Sequence, residues 1–379
     1  MTTMTGLSGN EMYCLAQKGM SAGDVVVGNS VFSVGLLGGI GSSLKTMIGG
    51  EVTAITSVIH EGRQNSLQRM MAEAERHGGI GITGVTSELV QMSGNIEFLS
   101  IGSTVHGAVA NSPEKLQFST NADGAALYCQ LDCGFEPRRF VFGNVAYSIG
   151  VGGGILGALR SLGRGEVKEY SDIFNTTRHL ALDRLSQEAV AAGANAVVGI
   201  NTSIIPFQGM QEMLMLGTAS HHASLPRQYS QHPVTSDLTN EEMWNLANMG
   251  MMPLRLVLGV SVYSLGMVGG ITSAFKSLVR GEINELTSLV YDARHNAIAK
   301  VQADAAAAGA DDVVGLKTYV YQLGGGLLEF MAIGTAVKRM DGARTLSEQL
   351  PPQAVMRDKD TFLNTVDKAV GTDLNKGAR

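Results

Sequence analysis

The sequence predicts an α+β protein made of three tandem copies of one β-α-β-β unit, each an antiparallel sheet under one long helix. Three observations carry that prediction. Glycines recur at fixed steps: Gly28, Gly143 and Gly259 lie 115 and 116 residues apart, and Gly35, Gly150 and Gly266 keep the same offsets. So do charged residues, with Glu51, Glu166 and Glu282 in one set and Arg63, Arg178 and Arg294 in another. Further along, Gly84, Gly199 and Gly315 align, followed after one extra residue in the third copy by Gly102, Gly217 and Gly334. A constant period of this kind marks a repeated structural unit. The copies run over about 6–108, 122–222 and 238–340, leaving a flexible C-terminal tail at 341–379. Two polar, proline-containing linkers, around Asn111-Ser112-Pro113 and from Ser224 to Ser236, separate them.

The third copy shows each element most plainly. Thr239 is placed to cap a lead-in helix, EEMWNLANMG, that Gly250 terminates. Tyr13, Tyr128 and Trp244 share one position in this helix and read as packing anchors. The run RLVLG gives the first strand. The strongest helix starts near Glu282 and ends near Ala308, because Ile283, Leu286, Val290, Ala293, Ala297, Val301 and Ala305 recur at three- and four-residue steps. Gly309 stops it, as Gly193 and Gly78 stop its counterparts. At 1.5 Å per residue such a helix is roughly 40 Å long, more than one small sheet needs. Two strands, DVVGLKTYVYQL and LLEFMAIGTAVK, complete the unit through a turn at Gly324 to Gly326. Three strands under one helix make a thin core, so the units are expected to bury edges and faces against neighbours.

Between the first strand and the long helix, GLLGGIGSSLKT (Gly35 to Thr46) nearly matches a phosphate-binding loop. The three copies decide against it. The position of the second loop glycine is Leu44, Leu159 and Phe275, and a side chain there blocks the close backbone approach that phosphate needs. Apolar residues at helical steps, such as Ile271, Phe275, Leu278 and Val279, read instead as a short amphipathic packing helix.

Composition excludes several classes. A net charge of −6 without long basic runs argues against nucleic acid as a partner. Three cysteines in 379 residues give no disulfide framework and point to a reducing, cytoplasmic setting, and the N-terminus lacks the pattern of a signal peptide. Three uncharged stretches of twenty residues, Val25 to Leu44, Phe140 to Leu159 and Leu256 to Phe275, have the length of membrane spans. Their four to six glycines each and their β-like openings (VVVG, FVFG, LVLG) argue against a membrane. No G-x-S-x-G, H-E-x-x-H or repeated acid–base constellation occurs, so no catalytic residue is assigned.

The order VLG-x-[SN]-x(2)-[YF]-S-x-G, then RGE and a long helix, then GA[ND]xVVG and GTAV resembles the YbjQ-like family, whose name carries an inferred heavy-metal-binding role. The third copy fits best (GADDVVGL, AIGTAVKR), the second is close (GANAVVGI, LGTASHH), and the first departs, with HGGIGITGV and IGSTVHG. The resemblance implies a dodecin-like β-α-β-β fold that self-associates in rings, so the expected partner is a second copy of the chain. It also implies a metal, for which Cys129 and Cys133 (C-x-x-x-C in a lead-in helix) and the equivalent His179 and His295 are the candidates. Buried free cysteine is the competing reading of the first pair. His221, His222 and His232 read as an exposed linker cluster. No cofactor is otherwise implied.

Arg63, Arg178 and Arg294 fall mid-helix, and Glu51, Glu166 and Glu282 at the helix start, where a carboxylate favours the dipole. They are candidates for an inter-subunit ion pair or for an arginine ring that binds a small anion. The stretch DTFLNTVDKAV (Asp360 to Val370) in the tail has the pattern of an amphipathic helix for a protein partner. The expected function is a non-enzymatic, self-assembling scaffold or small-ligand container, with a heavy-metal- or small-anion-binding protein as the alternative.

Overall fold

Each repeat opens on a nine-residue helix of about two and a half turns. In the computed structural model, which describes residues 2–33, 50–92, 94–107, 116–148, 165–207, 210–265, 284–324 and 326–356, α1 spans Gly9–Gln17. Ser8 accepts from the Glu11 amide while Glu11 reaches back to the Ser8 amide, a reciprocal cap. Thr239 and Glu242 repeat that box ahead of Asn240–Asn248, and Gly250 follows at φ 73°. The three glycine-rich segments, with Leu44, Leu159, Phe275 and Glu282, lie outside the described residues, as does Asp360 to Val370.

The chain divides into two compact bodies: Met1–Val34, Glu61–Cys129 and Ser347–Arg379 form one, and Gly35–His60 with Gln130–Leu346 form the other. The first body carries the sheet of the first repeat, in the order β1 (Met20–Ser33), β4 (Asn95–Gly107), β3 (Gly81–Met92), β5 (Phe118–Ser119). β1, β4 and β3 are antiparallel, and β5 adds in parallel from the linker. Val26, Ile82, Ile96, Phe98 and Val105 of this sheet are buried, as are Met70 and Ala74 of the helix α2 (Thr53–Arg76).

The second body holds two sheets. One runs β10 (Val234–Thr235), β8 (Ala196–Phe207), β9 (Met210–His221), β6 (Glu136–Ser148), β2 (Gly50–Glu51). The other runs β12 (Asp312–Gly324), β13 (Leu327–Arg339), β11 (Met251–Ser264), β7 (Gly165–Glu166). The short strands β2 and β7 are therefore passed forward. Each belongs to one repeat and pairs with the first strand of the next, Glu51 opposite Tyr147 and Glu166 opposite Tyr263. The linker from Ser224 to Ser236 is more ordered than its composition implies. Val234 is fully buried and β10 extends the sheet in parallel on β8, because Val234 and Thr235 supply the one β-prone pair in that polar run.

The helices α3 (Gly124–Asp132), α4 (Lys168–Ala191), α5 (Asn240–Asn248) and α6 (Asn284–Ala307) follow the expected order, and α7 is a single turn at Pro352–Val355. The long helices α2, α4 and α6 each have 24 residues. They sit tightly on their own first strands because a glycine faces them. A Cβ on Gly143 would lie 2.0 Å from the Ala181 carbonyl oxygen, and one on Gly259 would lie 2.2 Å from that of Ala297. Backbone cannot yield as a side chain can, so Gly143→Ala is expected to destabilise the second body by about 1–3 kcal/mol. A lowered thermal unfolding midpoint by circular dichroism checks this.

Candidate functional site

The chemistry of the second body is concentrated where α4 of the second repeat meets the sheet of the third. α4 packs on its own strands β6 and β9 and also on β11, so one helix serves two sheets. Tyr170, Phe174, Leu182 and Leu185 of the helix share a core with Val141, Met213 and Met215 behind and with Leu258, Val260, Val262 and Met331 ahead. This accounts for a helix longer than one thin sheet requires.

Arg178 sits in that core with no exposed surface. Its Nη2 donates to both carboxylate oxygens of Glu329, at 2.7 and 3.0 Å, and to the Tyr147 hydroxyl at 2.8 Å. The guanidinium also lies 4.6 Å from the centre of the Tyr147 ring and 5.5 Å from that of Phe174. Burial opposes the charge on Arg178, but the adjacent Glu329 carboxylate and Tyr147 hold it firmly protonated. The same burial pushes the Tyr147 phenol well above its ordinary range, so it stays a neutral hydroxyl. Glu329 belongs to β13 of the third repeat. The pair therefore joins the helix of the second repeat to the sheet of the third.

Around it lies a second tier of links with the same direction. The Val52 amide donates to the Ala146 carbonyl and the Val167 amide to that of Val262, each at 2.8 Å. The Ala146 amide donates to Thr56 Oγ1 at 3.0 Å, and the Val262 amide to Ser171 Oγ at 2.8 Å. Arg184 grips Glu51 at 2.7 and 3.1 Å, and Lys300 approaches Glu166 at 3.8 Å. Glu51 and Glu166 thus correct the helix-start assignment. Each precedes its helix by two residues, held in a strand by the next repeat's ladder, and its charge faces a cation of the next helix.

Of the three equivalent arginines, two are buried and one is exposed. Arg63 is buried, with Nη1 donating to the Ser87 carbonyl and hydroxyl at 3.0 Å. Arg178 forms the pair above, and Arg294 is exposed. Among the candidate metal ligands, Cys129 and Cys133 are buried and outside any disulfide, and the Cys133 thiol donates to the Gln130 carbonyl at 3.4 Å. Cys14, the counterpart of Cys129, is held protonated by burial, its pKa pushed up to about 11. His295 is exposed and stacks on Tyr291 at 6.0 Å. His179 lies 3.6 Å from Asp304 and contacts the Asn175 carbonyl at 2.9 Å. Among the described residues, no three His, Cys, Asp or Glu side chains gather as a metal would need. The expectation of an exposed histidine cluster holds at His232 and is corrected at His222. His222 is buried, with Nε2 donating to the Cys133 carbonyl and Nδ1 accepting from the Ser224 amide, and burial lowers its pKa.

Sequence reasoning missed Glu329, Tyr147 and Arg184. The signal for Glu329 was present, since Glu97, Glu212 and Glu329 stand opposite Val31, Ala146 and Val262 in the same register of each hairpin.

Fold and site together define a tandem-repeat α+β protein in which one repeat's helix closes the next repeat's sheet. The chain belongs to the YbjQ_1 family, described as "Putative heavy-metal-binding", which it matches at residues 15–107, 136–223 and 248–340. An encapsulin nanocompartment protein of Mycobacterium tuberculosis is 31% identical over 207 residues, 52% of this chain and 76% of that protein. A UPF0145 protein of Methanocella arvoryzae is 45% identical over 82 residues, 21% of this chain and 68% of its own. Another, from Helicobacter hepaticus, is 36% identical over 87 residues, 22% of this chain and 84% of its own.

Two outcomes follow. Arg178→Met strands the buried Glu329 charge and is expected to cost about 3–5 kcal/mol in chemical denaturation, most of it recovered by adding Glu329→Leu. The Asp304 carboxylate beside the imidazole raises the His179 pKa above its ordinary 6.5. A raised folded-state pKa contributes stability that is complete below about pH 6.5 and fades as pH climbs through the folded value. Wild type should therefore exceed His179→Gln in unfolding free energy by more at pH 5.5 than at pH 8.5, measured in parallel urea titrations.

Proposed function

We propose that this protein is a non-enzymatic self-assembling chain whose copies join into a ring-like or stacked homo-oligomer that serves as scaffold or container. One observation carries the reading: large apolar side chains are exposed in the terminal repeats and covered in the middle one. Tyr13, Val27, Val31 and Met92 are exposed in the first repeat, and Met249, Tyr291, Leu316, Tyr319 and Val320 in the third. Among the described residues of the second repeat only Val190 is. Apolar surface gathered in this way marks an association surface. The relative whose name describes a nanocompartment protein supports the container role.

The family description supports the alternative, a metal-binding role through Cys129, Cys133, His179 or His295. The geometry favours it less, because the Cys133 thiol is engaged as a donor and His179 is committed to Asp304. The acidic balance of −6 fits a protein without nucleic-acid partners, and cysteines outside any disulfide fit a cytoplasmic setting. No described helix is long and apolar enough to cross a membrane. A tail helix at Asp360 to Val370 would serve a protein partner or a neighbouring copy.

Light scattering of untagged protein should give a mass several times the 39.9 kDa of one chain, with metal well below one atom per chain in the same sample. A plain monomer overturns the assembly reading. Stoichiometric soft metal that is lost on Cys129→Ser turns the assignment to the alternative.

A further inference from the structure

We propose that the exposed face of the third repeat's helix, centred on Arg294, docks on the exposed face of the first repeat's sheet in a second copy, where it pairs with Glu97. The inference rests on the self-assembly reading and adds which surfaces meet and in which direction.

The model for the contact lies inside the chain. In the second repeat Tyr170, Phe174, Arg178 and Leu182 of α4 are buried, with Arg178 bound to Glu329 on the following sheet. The first repeat buries its counterparts too: Ile55, Ile59, Arg63 and Leu67. In the third repeat the same four positions are Leu286, Val290, Arg294 and Ile298. The three apolar residues are only half-buried and the arginine is exposed. Tyr291, one turn before His295 on this helix, is 66% exposed. A docking face is present, and the arginine at its centre stands exposed.

The receiving face shows the converse. On β6 and β11 the outward positions Phe142, Ala146, Leu258 and Val262 are buried. Their counterparts on β1, Val27 and Val31, are 43% and 56% exposed. β6 and β11 are each flanked by a strand passed forward from the previous repeat, whereas β1 is an edge among the described strands. Everything else needed to receive a helix is in place. Glu97 stands opposite Val31 as Glu329 stands opposite Val262, half-exposed and holding Asn29 Nδ2 at 3.2 Å. Arg69 donates to the Asn29 carbonyl as Arg184 does to that of Asn144 and Lys300 to that of Val260.

One occupant satisfies both faces. The chain offers an apolar helix face with a central cation at one end and an apolar sheet face with a central carboxylate at the other. The join between the second and third repeats shows that these faces fit. The contact is head-to-tail, so it generates a ring if the rotation closes and a continuing stack if it does not.

The test is charge reversal in the full chain, read by light scattering, with circular dichroism confirming that each variant is folded. Arg294→Glu and Glu97→Arg alter exposed or half-exposed side chains. Each alone should raise the concentration at which copies associate by about tenfold or more, because like charges then meet at the centre of the contact. The double variant should recover wild-type mass, and so should an equimolar mixture of the two single variants where they alternate around an even-membered ring or along a stack, since each junction then pairs opposite charges. If the single variants keep wild-type mass while wild type is oligomeric, the faces are misassigned but self-assembly stands. The same holds if neither the double variant nor the mixture recovers. If wild type is itself a monomer, both readings fall.

Discussion

A helix buried between two sheets is the constraint on which the rest of this structure depends. α4 cannot satisfy its apolar residues on the three strands of its own repeat, because Tyr170, Phe174 and Leu182 share their core with strands of the third repeat as well. Removing those side chains from water is worth about 1.5–3 kcal/mol each, which ties the stability of one repeat to the presence of the next. The glycine at the strand centre, Gly143, permits the close approach on one side. The Arg178–Glu329 pair sets register on the other. Without its partner, either charge would remain in an apolar layer where no water relieves it.

The order of elements was legible because it depends on local chemistry. Capping boxes at Ser8 and Thr239, the glycines after each long helix and the alternation in the strands all act within a few residues of themselves. What escaped the sequence depends on neighbours. β5 and β10 are two-residue strands in polar linkers, and they exist only because an edge of the preceding sheet is there to receive them. Glu51 and Glu166 look like helix-start carboxylates until the next repeat's cation is placed beside them.

The candidate site was half legible for the same reason. An arginine repeated mid-helix is visible, but whether it is solvated or buried is decided by a residue about 150 positions away. The first strands illustrate the limit. VVVGNSVFS and FVFGNVAYS read alike, yet β1 alternates between buried and exposed while β6 is buried on both faces. The difference lies in what covers them. Repetition is the one long-range signal a single chain carries, and the period of Glu97, Glu212 and Glu329 exposes the buried carboxylate to anyone who reads the copies in register.

The forward-passed strands β2 and β7 give the molecule an arrow in time as well as in space. Synthesis proceeds from the N-terminus, so Gly50–Glu51 has left the ribosome before β6 is made, and Gly165–Glu166 before β11. Each later repeat emerges to find a partner already waiting for the end of its first strand, at Tyr147 and Ser148 of β6 and at Tyr263 and Ser264 of β11. An unpaired strand edge is the usual template for wrong pairing. The direction of the interlock thus protects the nascent second and third repeats, and it confines the exposed first strand to the repeat that is born earliest.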